Sequence, residues 1–318
     1  MKSALSALAV ATGLALASVP ALAQVFVNTI QKGSGNKSLV EQRESSDYVQ
    51  VDVVQIGTNN RIGDPGTGAS GIVQIATVAR VHVRQEGSAN VGNIVQDHTD
   101  RSDNNMFQTG QGNVAVFRQD NVNSSTLTLE QRGSANYTFI NQKDIPTFSV
   151  GARQTGSDNR IVVQHYFSGY GGPEIDQVGR ANKVLLEQSD AAYSFVRVEQ
   201  AGNLNDAYVR QNGTTFTEDQ SIVQRGERNV ARADESGQVN GSTIVQTGND
   251  NFASATATLN ASVSEIIQTG SYNRASAVQI GVLNWTTGNF SSITQTGNAF
   301  SASVLQNGSG NVSLVTQR

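Results

Sequence analysis

The chain has 318 residues with no cysteine and four prolines, and 26 acidic against 22 basic residues give a formal net charge of −4. The lack of cysteine excludes a disulfide scaffold, and the lack of clustered Lys and Arg excludes the usual electrostatic footprint of a nucleic-acid-binding protein. Charged residues make up 15% of the chain, below the roughly 25% typical of globular proteins. This composition favours either disorder or a β structure rich in backbone hydrogen bonds.

The first element in chain order is an export signal over residues 1–23. Lys2 supplies a positive charge, residues 4–19 form a short apolar core, and Ala21–Ala23 form a small-residue cleavage site. The alternative is a membrane anchor, but no stretch reaches the roughly 20 apolar residues that a membrane-spanning helix needs. We therefore expect a secreted product that comprises residues 24–318 and has no transmembrane segment.

The rest of the chain repeats one short motif, Q-x-G-x-x-N. From Gln85 to Gln200 successive copies start 23 residues apart, and a near-copy at Gln295 has Phe300 in place of the asparagine. The thirteen complete copies begin at Gln31, Gln55, Gln85, Gln108, Gln131, Gln154, Gln177, Gln200, Gln224, Gln246, Gln268, Gln279 and Gln306. So many copies on one period indicate a repeat architecture with one structural unit per repeat.

Each unit is predicted to contain two short segments joined by a tight G-x-x-N turn. Glycine in that turn suits a positive φ or a close approach of two backbones. The turn glycines are Gly33, Gly57, Gly87, Gly110, Gly133, Gly156, Gly179, Gly202, Gly226, Gly248, Gly270, Gly297 and Gly308. The motif asparagines are Asn36, Asn60, Asn90, Asn113, Asn136, Asn159, Asn182, Asn205, Asn229, Asn251, Asn273 and Asn311. A second glutamine follows six residues after the asparagine at Gln42, Gln96, Gln119, Gln142, Gln188, Gln211, Gln279 and Gln317.

Polar and apolar residues alternate within both segments. The residue two places before the first glutamine is apolar in nearly every unit, as at Val83, Leu129 and Ile244, whereas neighbouring positions carry charges such as Arg84 and Glu130. A period of two over short stretches with turns at both ends predicts half-buried strands.

The repeated glutamines and asparagines share the parity of the apolar residues, so they are predicted to point inward. A buried amide without partners costs about 1–3 kcal/mol. Stacking identical units one strand spacing apart removes this cost, because each amide N–H group then meets the amide oxygen of the equivalent residue in the next unit. Those glutamines and asparagines are therefore expected to form structural ladders.

The predicted fold is all-β: a β-solenoid with two parallel sheets, one strand-turn-strand unit per repeat of about 23 residues, and about 12 rungs. The solenoid would occupy residues 24–318, with loop insertions near residues 61–70 and 282–290. Glu235 and Ala257 occupy second-glutamine positions, so the ladder is expected to be weaker there.

The unit S-x5-Q-x-G-x2-N-x-A-x3-Q resembles the curlin repeat of bacterial curli subunits. Residues 125–142 and 262–279 come near its full form, and the resemblance covers nearly all of residues 24–318. It implies a left-handed solenoid subunit that forms an end-to-end homopolymer, a functional amyloid fibre of the cell surface and biofilm matrix. It also implies a partner curlin subunit, a nucleator and an outer-membrane secretion pore as possible partners.

The chain departs from the curli pattern in two ways. It has more repeats than known curli subunits, and only residues 24–30 stand where those subunits carry a Gly-rich targeting segment. The secretion route, and the choice between a major and a nucleating subunit, therefore stay open.

Other candidate sites are better explained as surface residues. His82, His98 and His165 lie at unmatched positions, which disfavours a metal site, so we expect them on the surface or in turns. The candidate catalytic carboxylates are scattered singly on outward positions of the strands: Asp52, Glu130, Asp176 and Glu199. Exposed threonines are too irregular for an ice-binding face, and the aromatic residues are expected on outward strand positions and in loops. We therefore expect no enzyme, cofactor or metal.

The sequence thus predicts a secreted structural subunit that self-assembles into curli-like fibres for adhesion and aggregation. The alternative is a monomeric β-solenoid adhesin or carbohydrate-binding module. Soluble repeat proteins cap their ends with atypical units, and the repeats here are expected to run to both ends of the mature chain without such caps. That expectation favours assembly by strand pairing.

Overall fold

The computed structural model describes residues 25–43, 49–63, 71–75, 78–167, 169–213, 219–258, 261–281 and 288–318. Strands are the regular secondary structure of these residues, and they form parallel sheets wound into about twelve solenoid turns. The predicted fold class is therefore confirmed. The chain divides into two compact units, Met1–Lys143 and Asp144–Arg318, here called unit 1 and unit 2. The predicted export signal and cleavage point lie outside the described residues.

Unit 1 contains twelve strands, the last of which runs two residues past the unit boundary. They are β1 (Val25–Ser34), β2 (Lys37–Ser38), β3 (Val40–Arg43), β4 (Val49–Thr58), β5 (Arg61–Ile62), β6 (Ile72–Ile75), β7 (Val78–Ser88), β8 (Val91–Asp97), β9 (Asp100–Gln111), β10 (Val114–Val122), β11 (Ser125–Ser134) and β12 (Tyr137–Ile145).

Unit 2 contains fifteen strands. They are β13 (Phe148–Ser157), β14 (Arg160–Tyr166), β15 (Gly171–Arg180), β16 (Lys183–Ser189), β17 (Ser194–Asn203), β18 (Asp206–Asn212), β19 (Gln220–Glu227), β20 (Val230–Ser236), β21 (Gly241–Asn249), β22 (Phe252–Thr258), β23 (Ser262–Thr269), β24 (Arg274–Ile280), β25 (Asn289–Thr296), β26 (Ser301–Asn307) and β27 (Val312–Gln317).

Each unit contains two parallel sheets, which we call sheet A and sheet B. In unit 1, sheet A has the order β1-β4-β7-β9-β11, and sheet B has the order β2-β5-β8-β10-β12 with β3 and β6 attached beside β8. In unit 2, sheet A runs from β13 through the odd-numbered strands to β27, and sheet B runs from β14 through the even-numbered strands to β26. The chain therefore alternates between the sheets, and each passage through both sheets makes one rung.

The register between neighbouring strands superposes the repeats residue by residue. Gln177 lies opposite Gln200 and Gly179 opposite Gly202, and the next rung continues both columns. Parallel strands lie about 4.8 Å apart, so equivalent side chains recur at hydrogen-bonding distance along the solenoid.

Alternation decides which side chains fill the interior. In β4, Val49, Val51, Val53 and Gln55 are buried, whereas the residues between them are only partly buried. The same pattern recurs in β17, where four inward residues alternate with more exposed ones. The core is thus a stack of aliphatic columns flanked by amide columns, as the period-two pattern predicts.

The boundaries of the two predicted loop insertions are partly wrong. Arg61 and Ile62 form strand β5, because their backbones continue the ladder between β2 and β8. Asn289 and Phe290 likewise open strand β25. Residues 64–70 and 282–287, which make up the rest of these predicted loops, lie outside the described residues. Within the part of the chain that the structure describes, no helix is long and apolar enough to cross a membrane.

Candidate functional site

In each unit the first glutamines of the repeats form a column at the end of the sheet A strands, and its members are buried except Gln31 and Gln317, which are partly buried. Each Nε2 donates to the Oε1 of the next glutamine along the chain over 2.6–2.9 Å. The first column of unit 1 is Gln31, Gln55, Gln85, Gln108 and Gln131. That of unit 2 is Gln154, Gln177, Gln200, Gln224, Gln246, Gln268, Gln295 and Gln317. Within each unit the column has no interruption among the described residues.

Both N–H groups of a first-column amide are used. Gln108 Nε2 donates to Gln131 Oε1 over 2.8 Å and to the backbone oxygen of Val91, in sheet B, over 3.0 Å. Its Oε1 accepts from Gln85 Nε2 over 2.7 Å. The side chain of Gln108 is fully buried, so these bonds remove the desolvation cost of the amide. The column therefore joins successive rungs and also joins the two sheets.

The second glutamines form a parallel column at the end of the sheet B strands. In unit 1 this column is Gln42, Gln74, Gln96, Gln119 and Gln142, linked over 2.8–3.0 Å. The motif search missed Gln74, because it follows Asn60 by fourteen residues instead of six. Three β-branched residues around this glutamine, in the segment Ile72–Ile75, are the sequence signal for a strand that ends there.

Inward serines of sheet A support the second column. Ser125 Oγ accepts from Gln119 Nε2 over 2.7 Å and donates to Gln142 Oε1 over 3.2 Å. In unit 2, Ser194 makes the same two kinds of bond, with Gln188 over 2.9 Å and with Gln211. These serines supply a side path for the hydrogen bonds of the second column. In the first column, Thr138 Oγ1 likewise accepts from Gln131 Nε2 over 3.2 Å.

The second column of unit 2 is interrupted three times. His165, Glu235 and Ala257 stand where the register requires glutamine. Amide links persist between Gln188 and Gln211 and, over 3.0 Å, between Gln279 and Gln306. Among the described residues, Gln188 Oε1 and Gln211 Nε2 have no hydrogen-bond partner, and these two atoms belong to the glutamines that lie opposite His165 and Glu235.

The expectation that His165 is a surface or turn residue is wrong. Its side chain is fully buried at a second-column position, and its ring meets that of Phe148 edge to face, with the centroids 4.2 Å apart. Desolvation by burial lowers the pKa of His165 to about 3, and the neighbouring Gln188 offsets this only in part. The imidazole is therefore neutral at physiological pH. Its position six residues after Asn159 was the available signal.

The other two histidines are not buried. His98 is paired with the neighbouring Asp97 over 2.7 Å, and His82 is half-buried beside Phe107 with the ring centroids 5.6 Å apart. Within the described residues no group of three or more His, Cys, Asp or Glu side chains is placed to hold a metal ion.

Glu235 is a fully buried carboxyl group in the second column. Ser242 Oγ donates a hydrogen bond to its Oε1, from a position two residues further along the strand than that of Ser125 and Ser194 in their rungs. A carboxyl group has no N–H to donate along the column. Its oxygens are acceptors, yet Gln211 Nε2 in the preceding rung has no partner among the described residues. The column is therefore interrupted on both sides of Glu235, in line with the weaker ladder predicted here.

The motif asparagines and turn glycines form what we call the Asn–Gly clasp, the set of bonds around each G-x-x-N turn. Asn113 Nδ2 donates to the backbone oxygen of Gly133 in the next rung over 3.0 Å and to Oδ1 of Asn90 in the preceding rung over 3.0 Å. The backbone N–H of Asn113 also donates to Asn90 Oδ1, over 3.1 Å. One side chain thus ties three consecutive turns together.

Glycine is required in the clasp for two reasons. Gly110 has a φ of 118°, in the region that favours glycine, and a Cβ added to it would lie 2.0 Å from the backbone oxygen of Gly133. That oxygen is the acceptor for Asn113. Glycine therefore permits both the turn and the close approach of neighbouring rungs, as the motif predicts.

The structure reverses the predicted roles of two C-terminal glutamines. Gln306 begins a complete motif and was expected to end a first strand, but it lies in the second column opposite Gln279. Gln317 was expected to be a second glutamine, but it lies in the first column opposite Gln295. The motif fails here because the turns that lead from sheet B back to sheet A can also carry Q-x-G-x-x-N; the 22-residue step from Gln295 to Gln317 is the better guide.

This return turn also contains a clasp. Asn289 Nδ2 donates to the backbone oxygen of Gly308 over 2.8 Å, and Asn311 Nδ2 donates to Asn289 Oδ1 over 3.1 Å. The predicted residues Gly308 and Asn311 therefore serve the opposite turn from the other motif residues. Gly297 remains in the usual turn, where Asn273 Nδ2 donates to its backbone oxygen over 2.8 Å.

The outer faces carry polar groups that pair locally. Arg228 binds Asp250 of the next rung through two bonds of 2.7 and 2.9 Å, and this contact lowers the pKa of Asp250. Burial, followed by the hydrogen bond from its hydroxyl group to Glu187 over 2.9 Å, raises the pKa of Tyr208 to about 12. Of the candidate catalytic carboxylates, Glu199 is engaged by Arg197 and Asp176 lies 3.7 Å from Arg153. Asp176 and Glu199 lie opposite each other on the neighbouring strands β15 and β17, each beside an arginine.

The arrangement can therefore hold strands in register, and within each unit the first column offers the same amide donor and acceptor at every rung. No protein-family model matches the sequence, and no curated protein matches it. The curlin resemblance stays a prediction that rests on the repeated residues.

Proposed function

We propose that the protein is a secreted structural subunit that stacks with copies of itself into a curli-like amyloid fibre of the bacterial surface, where it mediates adhesion and aggregation. The observation that carries this proposal is the register of the amide columns. Every rung of the first column presents Nε2 to one neighbour and Oε1 to the other, with nothing specific to its place in the chain.

A rung of this kind is a template for another rung. The backbone of each strand pairs in parallel with its neighbour, and the buried side chains repeat at the same positions. Identical segments stacked in register, with amide ladders between them, are the general design of cross-β fibres. A rung from a second copy can therefore make the contacts that rungs make within one chain.

The direct test is to incubate the purified protein and to follow thioflavin T fluorescence, electron micrographs and fibre diffraction. We expect fibres with a meridional reflection at about 4.7–4.8 Å, and we expect that preformed fibres shorten the lag. A protein that stays monomeric at high concentration and accepts no seeds would favour the alternative, a monomeric solenoid adhesin.

A variant tests whether the columns guide assembly. Replacing both glutamines of one interior rung, Gln200→Leu with Gln211→Leu, removes its amide links, so we expect slower seeded growth. Gln164→Leu makes the same chemical change on the outward side of strand β14, where the residue is not in a column, and should leave the growth rate unchanged. Equal growth rates for the two variants would contradict a guiding role of the columns.

Export is a separate part of the proposal. The product recovered outside the cell should begin at Gln24, because cleavage is expected after Ala23. Mass spectrometry of the secreted protein measures this directly, and an intact N-terminus on the secreted protein would exclude the proposed signal.

A further inference from the structure

Exposed aromatic side chains cluster at one place in unit 2. Among the described residues, six aromatic side chains are more than about two-fifths exposed, and four of them lie between Phe167 and Phe195. Tyr170 and Tyr193, from successive rungs, are stacked with their centroids 5.1 Å apart and their planes inclined by 24°. A cluster of exposed aromatic side chains is more typical of a binding site than single exposed aromatic residues scattered over the surface are.

The chain leads from this tyrosine pair into a cleft of about 600 Å³ on the outer face of sheet A, a size typical of small-ligand sites. Tyr170 precedes the lining residue Gly171, and Tyr193 lies two residues before Phe195, whose exposed ring lines the cleft. The cleft extends over strands β13, β15, β17 and β19, and the two tyrosines lie directly before its central strands, β15 and β17.

Two glycines create the depression. Gly172 lies opposite Phe195, and a Cβ at Gly172 would lie 1.6 Å from the backbone oxygen of Ser149, so the backbones require glycine there. Gly151 is different. A Cβ added to it meets no atom within 4 Å, so its missing side chain leaves open space over the sheet without being needed for the fold.

The polar groups of the cleft favour a ligand rich in hydroxyl groups and free of acidic groups. The carboxylates of Glu174 and Asp219 line it and have no ion-pair partner among the described residues. Arg197, the cleft's cation, is engaged by Glu199. The unbalanced negative charge repels phosphate, sulfate and uronate groups, whereas carboxylate oxygens accept strong hydrogen bonds from hydroxyl groups.

A peptide cannot bind at this site by adding a strand to the sheet. Strands β15 and β17 are each paired on both sides within sheet A of unit 2, so they offer no free backbone edge to a peptide. The cleft must recognise its ligand through side chains. The C–H face of a sugar ring, which carries partial positive charge, suits the electron-rich faces of Phe195 and the tyrosine pair.

We propose that this cleft binds an uncharged saccharide polymer, with the aromatic rings against the sugar faces and with Glu174 and Asp219 accepting bonds from hydroxyl groups. The site lies on the side of the solenoid, so it stands whether or not the protein polymerises. It would give the protein a lateral glycan-binding function in addition to any assembly.

The test is isothermal titration of the whole protein with neutral hexasaccharides of glucose and of N-acetylglucosamine in different linkages, and with a hexauronate. We expect at least one neutral hexasaccharide to bind with micromolar to millimolar affinity and the hexauronate to bind at least tenfold more weakly. Phe195→Ala and Gly151→Trp, which remove a stacking ring and fill the depression, should each weaken binding at least tenfold.

Matched controls separate binding from folding. Gly151→Ala leaves the depression open, and Tyr272→Ala removes another exposed ring of unit 2 that does not line the cleft, so both should bind like the unchanged protein. Circular dichroism and the Tm verify that all four variants fold. The proposal is wrong if no neutral hexasaccharide binds, or if Phe195→Ala and Gly151→Trp bind as well as the controls. It is also wrong if an amine-bearing saccharide binds in a salt-sensitive way while the neutral ones do not.

Discussion

The first and second amide columns of unit 2 both pair amides in the interior, but only the second contains residues other than glutamine. The first column runs through eight glutamines without a substitution. The second accepts His165, Glu235 and Ala257 at positions that the register assigns to glutamine. Both columns are buried between the same two sheets, so burial alone does not explain the difference.

Individual amides of the two columns differ in their partners. Gln224 of the first column bonds both neighbouring glutamines and also the backbone oxygen of Asp206 across the interior. Gln211 of the second column accepts from Gln188 and Ser194, but its Nε2 group has no partner among the described residues. Replacing Gln211 therefore removes fewer hydrogen bonds than replacing Gln224.

The largest expected effect on stability comes from replacing a column glutamine by leucine, and two separate variants compare this change in the first and the second column. Gln224→Leu leaves Gln200 Nε2–H, Gln246 Oε1 and the oxygen of Asp206 each short of one bond, which should lower the free energy of unfolding by about 3 kcal/mol. Gln211→Leu should cost less, about 2 kcal/mol, because only Gln188 Nε2 and Ser194 Oγ lose an acceptor and the Gln211 Nε2 group is already orphaned. Urea-induced unfolding measures both, and equal losses would remove the proposed asymmetry.

The next largest effect is expected at acidic pH, where His165 should lower the free energy of unfolding. Its pKa is near 3 in the folded state and about 6.5 in the unfolded state, so the unfolded state binds more protons between these values. This contribution to stability is fully present above about pH 6.5 and is lost as the pH falls toward 3. Between pH 6.5 and 4.5 it amounts to about 2.5 kcal/mol.

Carboxylates also titrate in part of this range, so the measurement needs a matched variant. His165→Gln removes the histidine contribution and keeps every other titrating group. We expect the difference in unfolding free energy between the two proteins to grow by about 2.5 kcal/mol from pH 6.5 to 4.5. Parallel pH profiles would show that the histidine is not buried and neutral.

At neutral pH, His165→Gln should repair the column. The new amide can donate to Gln188 Oε1, which has no partner among the described residues, and the gain should exceed the lost ring contact with Phe148. We expect stabilisation by about 1.5 kcal/mol. His98→Gln, which changes an exposed histidine, should leave the urea midpoint unchanged. A destabilised His165→Gln protein would mean that ring packing outweighs the amide links.

The smallest effect is expected at the buried carboxyl group. Glu235→Gln conserves the shape of the side chain, keeps an oxygen acceptor for Ser242 and replaces an ionisable group in the interior with a neutral amide. We expect stabilisation by about 1 kcal/mol at neutral pH. Glu187→Gln changes an outward carboxylate of strand β16, two strands away in sheet B, and serves as the control. If the Glu235→Gln protein is no more stable than this control, the interrupted column does not limit the stability of the protein at this rung.

The sequence was sufficient for the fold because the pattern that defines it is repeated many times. Alternation around Val53, Val83 and their equivalents specified the inward faces, and the constant step between Gln85 and Gln200 specified the register. The glycines followed from the same logic, since a close approach such as that between Gly110 and Gly133 excludes a Cβ. Local rules such as alternation and the need for glycine can be inferred from the sequence when every rung follows them.

The errors came from residues whose role depends on which rung they join. Gln74 was missed because a longer segment separates it from Asn60, and local spacing does not show which strand it pairs with. His165 was misassigned because its residue type outweighed its position in the period. Gln306 was misplaced because both turns of the solenoid can use the same motif. The aromatic cleft was not foreseen, since it arises from outward residues of separate rungs.

The glutamine columns share one direction: Nε2 donates toward the rung that follows in the sequence at each link described, as from Gln177 to Gln200. The two edges of any rung are therefore chemically unlike. A copy turned end for end would bring amide donor against donor, and each such mismatch would leave buried groups unsatisfied. We expect a filament of this protein to be polar, with every subunit oriented alike and with ends that grow at different rates. Real-time imaging of single filaments would measure that difference.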